Sequence, residues 1–348
     1  MLSACDGARQ VAPIRLEHLI TLGDTHGPGA MANDPVVSGL HGDTYRVLIQ
    51  AFGEVPSLPL IYSKDGTYLG TLGTQGDGPE QFHRARFTRS GPGDSLWIFD
   101  DLPRVLVYSP DRHYVRTIDL PMTPWDALVL PDGSLLLSSV NAGQPLPFLL
   151  VDAHGLLVRT IGIDDSASNS IQSPRQLVRG RDGTFWTMPS SYGWRLEHWD
   201  TAGHPLGVIE RMPAWYPRYG TYAAGSRQQA PSPTLIGAWF DGAGRLWVMG
   251  RAADPHWARG LGPAVADRDG PGATVINPDK AYDTVIEVLD PITGTLLADT
   301  RFDMAYVLGG EPGMVMRVTR NPDGWKRVEL LRVAFDSTKA HFQSSTRP

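Results

Sequence analysis

"TLGTQGDGPEQF", residues 71–82, decides how the chain is read. Three glycines separated by Thr, Gln and Asp have the look of a phosphate cradle. A P-loop ends its glycine run with Lys and then Ser or Thr, because the ammonium meets the outer phosphates and the hydroxyl meets the metal. Here Gly78 is followed by Pro79 and Glu80, so a carboxylate stands where the cation belongs. A dinucleotide fingerprint needs Gly-x-Gly-x-x-Gly opening a helix. Gly73, Gly76 and Gly78 run in the wrong order, and Pro79, Phe82 and His83 begin no apolar helical period. The stretch is expected to turn the chain, not to hold a nucleotide.

What it turns between is a repeat. "GDSLWIFD" (93–100), "DGSLLLSS" (132–139), "DGTFWTMP" (182–189) and "GAGRLWVMG" (242–250) are variants of one phrase. Each is a Gly or Asp-Gly turn followed by alternating apolar residues, the pattern of a strand leaving a hairpin. A second phrase follows each: "RVLVYSPDRHYVRTI", "FLLVDAHGLLVRTIG", "RLEHWDTAGHPLGVI" and "TVIEVLDPITGTLLADT". These read as strand, turn, strand, and "LPLIYSKDGTYLGTLG" (58–73) is an earlier copy. Four short antiparallel strands per unit of about 40–50 residues is the period of a propeller blade.

With strands lettered A to D from the central channel outward, blade 1 is expected over 35–73, blade 2 over 85–120, blade 3 over 124–162 and blade 4 over 174–211. Blade 5 spans 236–302 and carries an insertion. Only three strands remain for a sixth blade, over 305–335. The missing one is "RLEHLITLG" (15–23), and the "DTHGPGAM" after it echoes "TQGDGPEQF". The prediction is all-β: a six-bladed propeller of four-stranded antiparallel blades, closed by an N-terminal strand joining the C-terminal blade. Such closure protects sheet edges. The organisation expected is a tail over 1–13, one domain over 14–336 and a disordered tail over 337–348. The opening stretch becomes the crossing from blade 1 to blade 2, with Phe82 pinning it between them.

Composition agrees. Gly 38 and Pro 29 point to many turns and few long helices. A net charge of −6 and only Lys64, Lys280, Lys326 and Lys339 among the lysines argue against a nucleic-acid partner. No apolar run is long enough to span a bilayer as a helix.

Gly73, Gly76, Gly78 and Phe82, then Leu96-Trp97-Ile98, Asp100, Arg104, Val105 and Tyr108, resemble the NHL repeat and its relatives among bacterial six-bladed propellers. The resemblance is best over blades 1 and 2. It implies fold more than function, since the family includes protein-binding, RNA-binding, lyase and lactonase members. "LSAC" (2–5) resembles the lipobox of bacterial lipoproteins, in which the Cys thiol receives a lipid. On that resemblance Cys5 is a lipidation site and the protein faces the periplasm or exterior from a membrane anchor. The basic and apolar parts of such a signal would have to precede Leu2; if Met1 is the true start, a cytoplasmic location is expected.

Catalytic motifs are mostly absent from the sequence: no His-Glu-x-x-His, no Gly-x-Ser-x-Gly and no cysteine pair. "DRDGPG" (267–272) begins like a calcium loop, but Pro278 stands where the bidentate Glu belongs. Glu54, Asn141 and Asp241 are the lactonase-like candidates by residue type alone. His41, His83 and His256 lie in separate units. No cofactor is predicted; calcium is the one considered.

Two long connections attract more attention. Residues 211–233 carry Trp215, Tyr216, Arg218, Tyr219, Tyr222 and Arg227; residues 251–283 carry His256, Trp257, Arg259, Asp267 and Asp269. D-to-A crossings and B-to-C turns share one face of a propeller, so both should stand on the same side. Long irregular loops are usually functional or disordered, and aromatic residues with Arg are enriched in binding hot spots. Trp215, Tyr216, Tyr219, His256, Trp257 and Arg259 are therefore candidate contacts, unless the loops form a packed lid. Arg86, Trp125, Arg175, Ile236 and Tyr306 fall at or near the first inner-strand positions. The two arginines could attract an anion, or pair with Asp126 or another blade. The leading expectation is a monomeric, non-enzymatic envelope protein binding a protein, peptide or glycan. The competing one is a metal-dependent propeller hydrolase or lyase at the channel mouth.

Overall fold

A computed structural model describes residues 14–24, 26–50, 58–138, 148–162, 175–181, 183–189, 193–217, 225, 228–267 and 270–336. It contains six four-stranded antiparallel sheets. Blade 1 is Asp34–His41, Thr44–Gln50, Leu60–Ser63 and Tyr68–Thr71, and blade 2 is Ala85–Ser90, Leu96–Asp100, Arg104–Tyr108 and Tyr114–Asp119. Blades 3, 4 and 5 begin with inner strands Asp126–Val129, Arg175–Arg179 and Thr234–Phe240. Neighbouring inner strands contact one another around a central axis. The fold is the six-bladed β-propeller that the repeat implies.

Closure follows the expected route. Val307–Leu308, Met314–Arg320 and Lys326–Phe335 make three strands of blade 6, and Ile14–Leu22 makes the fourth. Its register runs from Ile14 opposite Phe335 to Leu22 opposite Val328, with an irregularity between His18 and Ile20. Ile14 and Leu22 at its ends are buried.

The alternation in each strand has a direct packing consequence. Successive side chains point to opposite faces of a sheet, and in a propeller both faces meet a neighbouring blade. In Leu96–Asp100, Leu96 and Ile98 join the cluster shared with blade 1, including Leu48, Ile61 and Phe82. Trp97 and Phe99 join the cluster shared with blade 3, including Ala127, Leu135 and Leu149. The other four blade junctions each hold a comparable cluster. Strands B and C of blade 2 are buried throughout, whereas its outer strand Tyr114–Asp119 is half-buried or exposed at every position but Ile118.

The glycine-rich crossing holds a cation, the inverse of a phosphate cradle. Arg104 is buried, and its Nη1 donates to the Asp77 carbonyl (2.9 Å) while Nη2 donates to those of Gly76 (3.2 Å) and Gln81 (2.9 Å). Its Nε donates to Asp100 Oδ2 at 2.9 Å. Asp100 has no exposed surface and also accepts the backbone N–H groups of His83, Arg84 and Asp101. The loop's carbonyls are turned inward onto one guanidinium. Phe82 is fully buried between blades 1 and 2, as expected.

One expectation about the loops is corrected. The B-to-C connection of blade 5 is not irregular: it forms a short 3-10 turn, Trp257–Gly260, a hairpin of Leu261–Asp267 and Gly270–Val275, and one helical turn, Pro278–Ala281. This hairpin belongs to none of the six blades. Of the segment read as the start of a calcium loop, Asp267 ends the first strand opposite Gly270, and Pro271 and Gly272 continue the second.

Candidate functional site

The inner strands start on the face of the D-to-A crossings and end on the face of the A-to-B turns. Around the axis they enclose a cavity of about 640 Å³ reached by Arg46, Arg86, Arg89, Arg179 and Glu311. Val36, Leu177, Val178 and Phe240 contribute apolar wall. The volume lies within the range of small-molecule pockets.

Three of these arginines brace the ring. Arg86 Nη1 donates to the Pro124 carbonyl at 3.0 Å, and Arg89 Nε to the Ala127 carbonyl at 2.9 Å. Arg179 donates to the Val129 carbonyl. Each bond runs from one blade to its neighbour. Buried Asp126 joins three blades: one oxygen accepts from Arg89 and the Ala127 N–H, the other from the Leu177 N–H at 2.8 Å. Of the two arginines read from the sequence, neither takes Asp126. Arg175 is buried and pairs with Glu197 in its own blade, where Glu197 also accepts from Thr187 and Arg195.

Arg46 differs from its neighbours. It comes from strand B of blade 1, opposite Gly39. Gly39 has φ +150° beside a strand irregularity, and a Cβ there would lie 2.4 Å from Arg46 Nη2 and 2.9 Å from Glu311 Oε1. The missing side chain lets a second-strand guanidinium pass over the inner strand to the channel. Only 1% of Arg46 is exposed, and its Nε and Nη1 have no hydrogen-bond partner. Burial lowers its pKa to about 10, against an opposing pull from Glu311. Glu311 stands on the blade 6 turn with Oε1 accepting the Leu40 N–H at 2.9 Å. Burial raises the Glu311 pKa, opposed by that bond and by the charges of Arg46 and Arg89.

The other sequence candidates are scattered. Trp125 is 44% exposed, while Tyr306 is buried between blades 5 and 6 beside Ile236. Trp215 and Tyr216 belong to the junction of blades 4 and 5. Tyr216 is 1% exposed, so it cannot offer a contact surface. The Trp215 ring lies over Gly250, and its Nε1 donates to Glu287 Oε1 at 3.1 Å. Their crossing starts as a packed lid. His256 and Arg259 are exposed on the insertion and Trp257 is half-buried there. Tyr219, Arg218, Tyr222, Arg227 and Asp269 lie outside the described residues, as do Cys5, Glu54 and Asn141.

Asp241, the described lactonase-like candidate, is occupied by its own turn. It accepts from the Ala243 and Arg245 N–H groups, from Arg245 Nε and from Trp247 Nε1. Burial works to raise its pKa, but the bonds from Trp247 and Arg245 outweigh it and hold the carboxyl low. His83 pairs with Asp101, and His256 lies near Asp254. Among the described residues, Asp254, Asp283 and Asp303 at the root of the blade 5 insertion form the one group that could hold a metal ion. Arg301 already faces it, with Nε 2.5 Å from Asp283 Oδ2.

The fold and site define a class, the six-bladed β-propeller with a positively lined channel and a separate hairpin inserted in blade 5. No family model matches the chain, and no curated protein does. Solved structures match its fold. A candidate exported protein from Bacteroides fragilis has a TM-score of 0.57 at 11% identity, over 93% of this chain and 96% of that one. A protein of unknown function from Bacteroides caccae gives 0.43 at 10%, over 81% and 80%. The WD40 domain of Toxoplasma gondii coronin gives 0.41 at 12%, over 86% and 69%.

Proposed function

We propose that this propeller is a non-enzymatic binding protein of the cell envelope that meets a protein, peptide or glycan through its blade 5 insertion. The observation that carries this reading is the hairpin of Leu261–Asp267 and Gly270–Val275. It completes no blade and adds nothing to ring closure. A two-stranded hairpin is marginal by itself, and among the described residues no further strand pairs with either edge, which suits pairing with an incoming chain. His256 and Arg259 beside it supply polar contacts. The strands around it explain themselves as fold; this element does not.

The envelope location rests on "LSAC" and on the description of the Bacteroides fragilis protein as an exported one. An in-frame basic and apolar segment encoded upstream of Met1 is the expected support for lipid attachment at Cys5; an immediate upstream stop codon contradicts it. Replacing residues 262–274 by a short Gly-Ser link tests the binding reading. A ring of unchanged melting temperature with lost capture of its envelope partner is expected. Undiminished capture would refute the assignment of the hairpin. The metal-dependent enzyme reading would have to use Asp254, Asp283 and Asp303, and near-stoichiometric calcium or zinc in purified protein would favour it.

A further inference from the structure

We propose that the central channel is a second binding site, for a small carboxylate with an apolar body, held by the Arg46 guanidinium. This site opens toward the A-to-B turns and is independent of the hairpin on the opposite face. The starting point is a buried charge with no ion-pair partner. Among the described residues no carboxylate lies within ion-pair distance of Arg46, and two of its nitrogens donate to nothing. A buried cation in that condition is costly unless an acceptor completes it. An anion satisfies both the charge and the donors.

The surroundings narrow the anion. Arg86, Arg89 and Arg179 add positive potential, but their named donors already meet backbone carbonyls of the next blade. Against them stand Glu311 and the buried Asp126, so the channel carries net positive charge. A phosphate presents three oxygens, each a strong acceptor. Among the channel arginines only Arg46 has fully buried donors without a partner, two of them, which suits the two oxygens of a carboxylate. Most of the remaining wall is apolar, from Val36, Leu177, Val178 and Phe240, with Ser38, Thr88 and Ser90 the polar exceptions, and about 640 Å³ accommodates a hydrocarbon or aromatic body. Gly39 is part of the design: its lack of a side chain admits the guanidinium.

Among the described residues Glu311 is the one carboxylate whose charge acts on Arg46, and it opposes an incoming anion. That makes the inference testable from both sides. The probes are hexanoate and phenylacetate, their neutral amides, and inorganic phosphate, read by calorimetry and by thermal shift on the whole chain. The carboxylates are expected to bind and to raise the melting temperature, with at least tenfold weaker binding of the amides. Arg46→Gln should abolish carboxylate binding. Glu311→Gln keeps an oxygen for the Leu40 N–H and should tighten it about threefold or more. The proposal is overturned if no carboxylate binds, if amides or phosphate bind as well as carboxylates, or if Glu311→Gln weakens binding.

Discussion

Arg104→Ala should be among the most damaging single changes in this ring. The side chain supplies donors to Asp100 and to the carbonyls of Gly76, Asp77 and Gln81. Removing one partner of a buried ion pair costs about 3–5 kcal/mol. Each carbonyl left without a donor adds about 1 kcal/mol or more, although crossing residues at the surface can turn some toward water. A net loss of about 4–5 kcal/mol follows, against the roughly 5–15 kcal/mol that holds a domain folded. Arg104→Lys keeps the charge beside Asp100 but offers three donors from a point instead of a planar fork, so about half the loss is expected. Equilibrium urea unfolding monitored by tryptophan fluorescence gives both values, with Trp97 buried in the same blade. An Arg104→Ala protein within about 1 kcal/mol of wild type, with an unchanged urea slope, would show that the crossing holds its shape without the cation.

Three further outcomes are expected. Trp215→Ala should lower stability by about 3–5 kcal/mol, the range for a large aromatic lost from a packed site, with binding at the hairpin intact; a normal melting temperature would return Trp215 to the surface. Deleting residues 1–23 should cost several kcal/mol, since a whole strand with buried Ile14 and Leu22 is lost; unchanged melting behaviour would contradict closure through the first strand. The C-to-D turns should make the ring acid-sensitive. Asp65 is held low chiefly by Ser63, Asp111 by Ser109, Asp152 by the Leu156 N–H, Asp200 by the His204 N–H and Asp290 by the Thr293 N–H. Their folded pKa values lie below the unfolded ones, so the unfolded chain binds more protons as pH falls. Their contribution is present above the unfolded value, near 4, and is lost as pH drops through the folded values. Asp152→Asn combined with Asp290→Asn should flatten the dependence of the urea midpoint between about pH 5 and pH 2, and an unaltered slope would exclude these turns as its source.

The ring was legible because each blade states it again. The alternation in "LWIFD" serves two blade junctions at once, and that pattern is local. The insertion hid its hairpin because "LGPAVAD" and "GPGATV" are rich in Gly and Pro and poor in β-branched residues. Trp215 and Tyr216 illustrate a different limit. An aromatic in a long connection has the same sequence whether it packs or waits for a partner. What decides is Glu287, 72 residues away in the chain. The channel cation was missed for the same reason, although Gly39 inside a strand pattern is a signal of close approach. Arg104 was noticed as part of a resemblance, but its work on the crossing depends on carbonyl directions that residue types do not encode.

The pairing of Ile14 with Phe335 sets an order of events during synthesis. Each of blades 1 to 5 draws its four strands from one contiguous stretch and can zip up as it leaves the ribosome. Blade 6 cannot. Its outer strand, Ile14–Leu22, is made before the strands of blades 1 to 5 and its neighbour, Lys326–Phe335, after them, so the outer strand waits, with an open hydrogen-bonding edge, until all five have appeared. Contacts this far apart in sequence form slowly. The latch of the ring is therefore also its last folding step, and the interval before it shuts is when the newborn protein is most exposed to mispairing with another copy of itself.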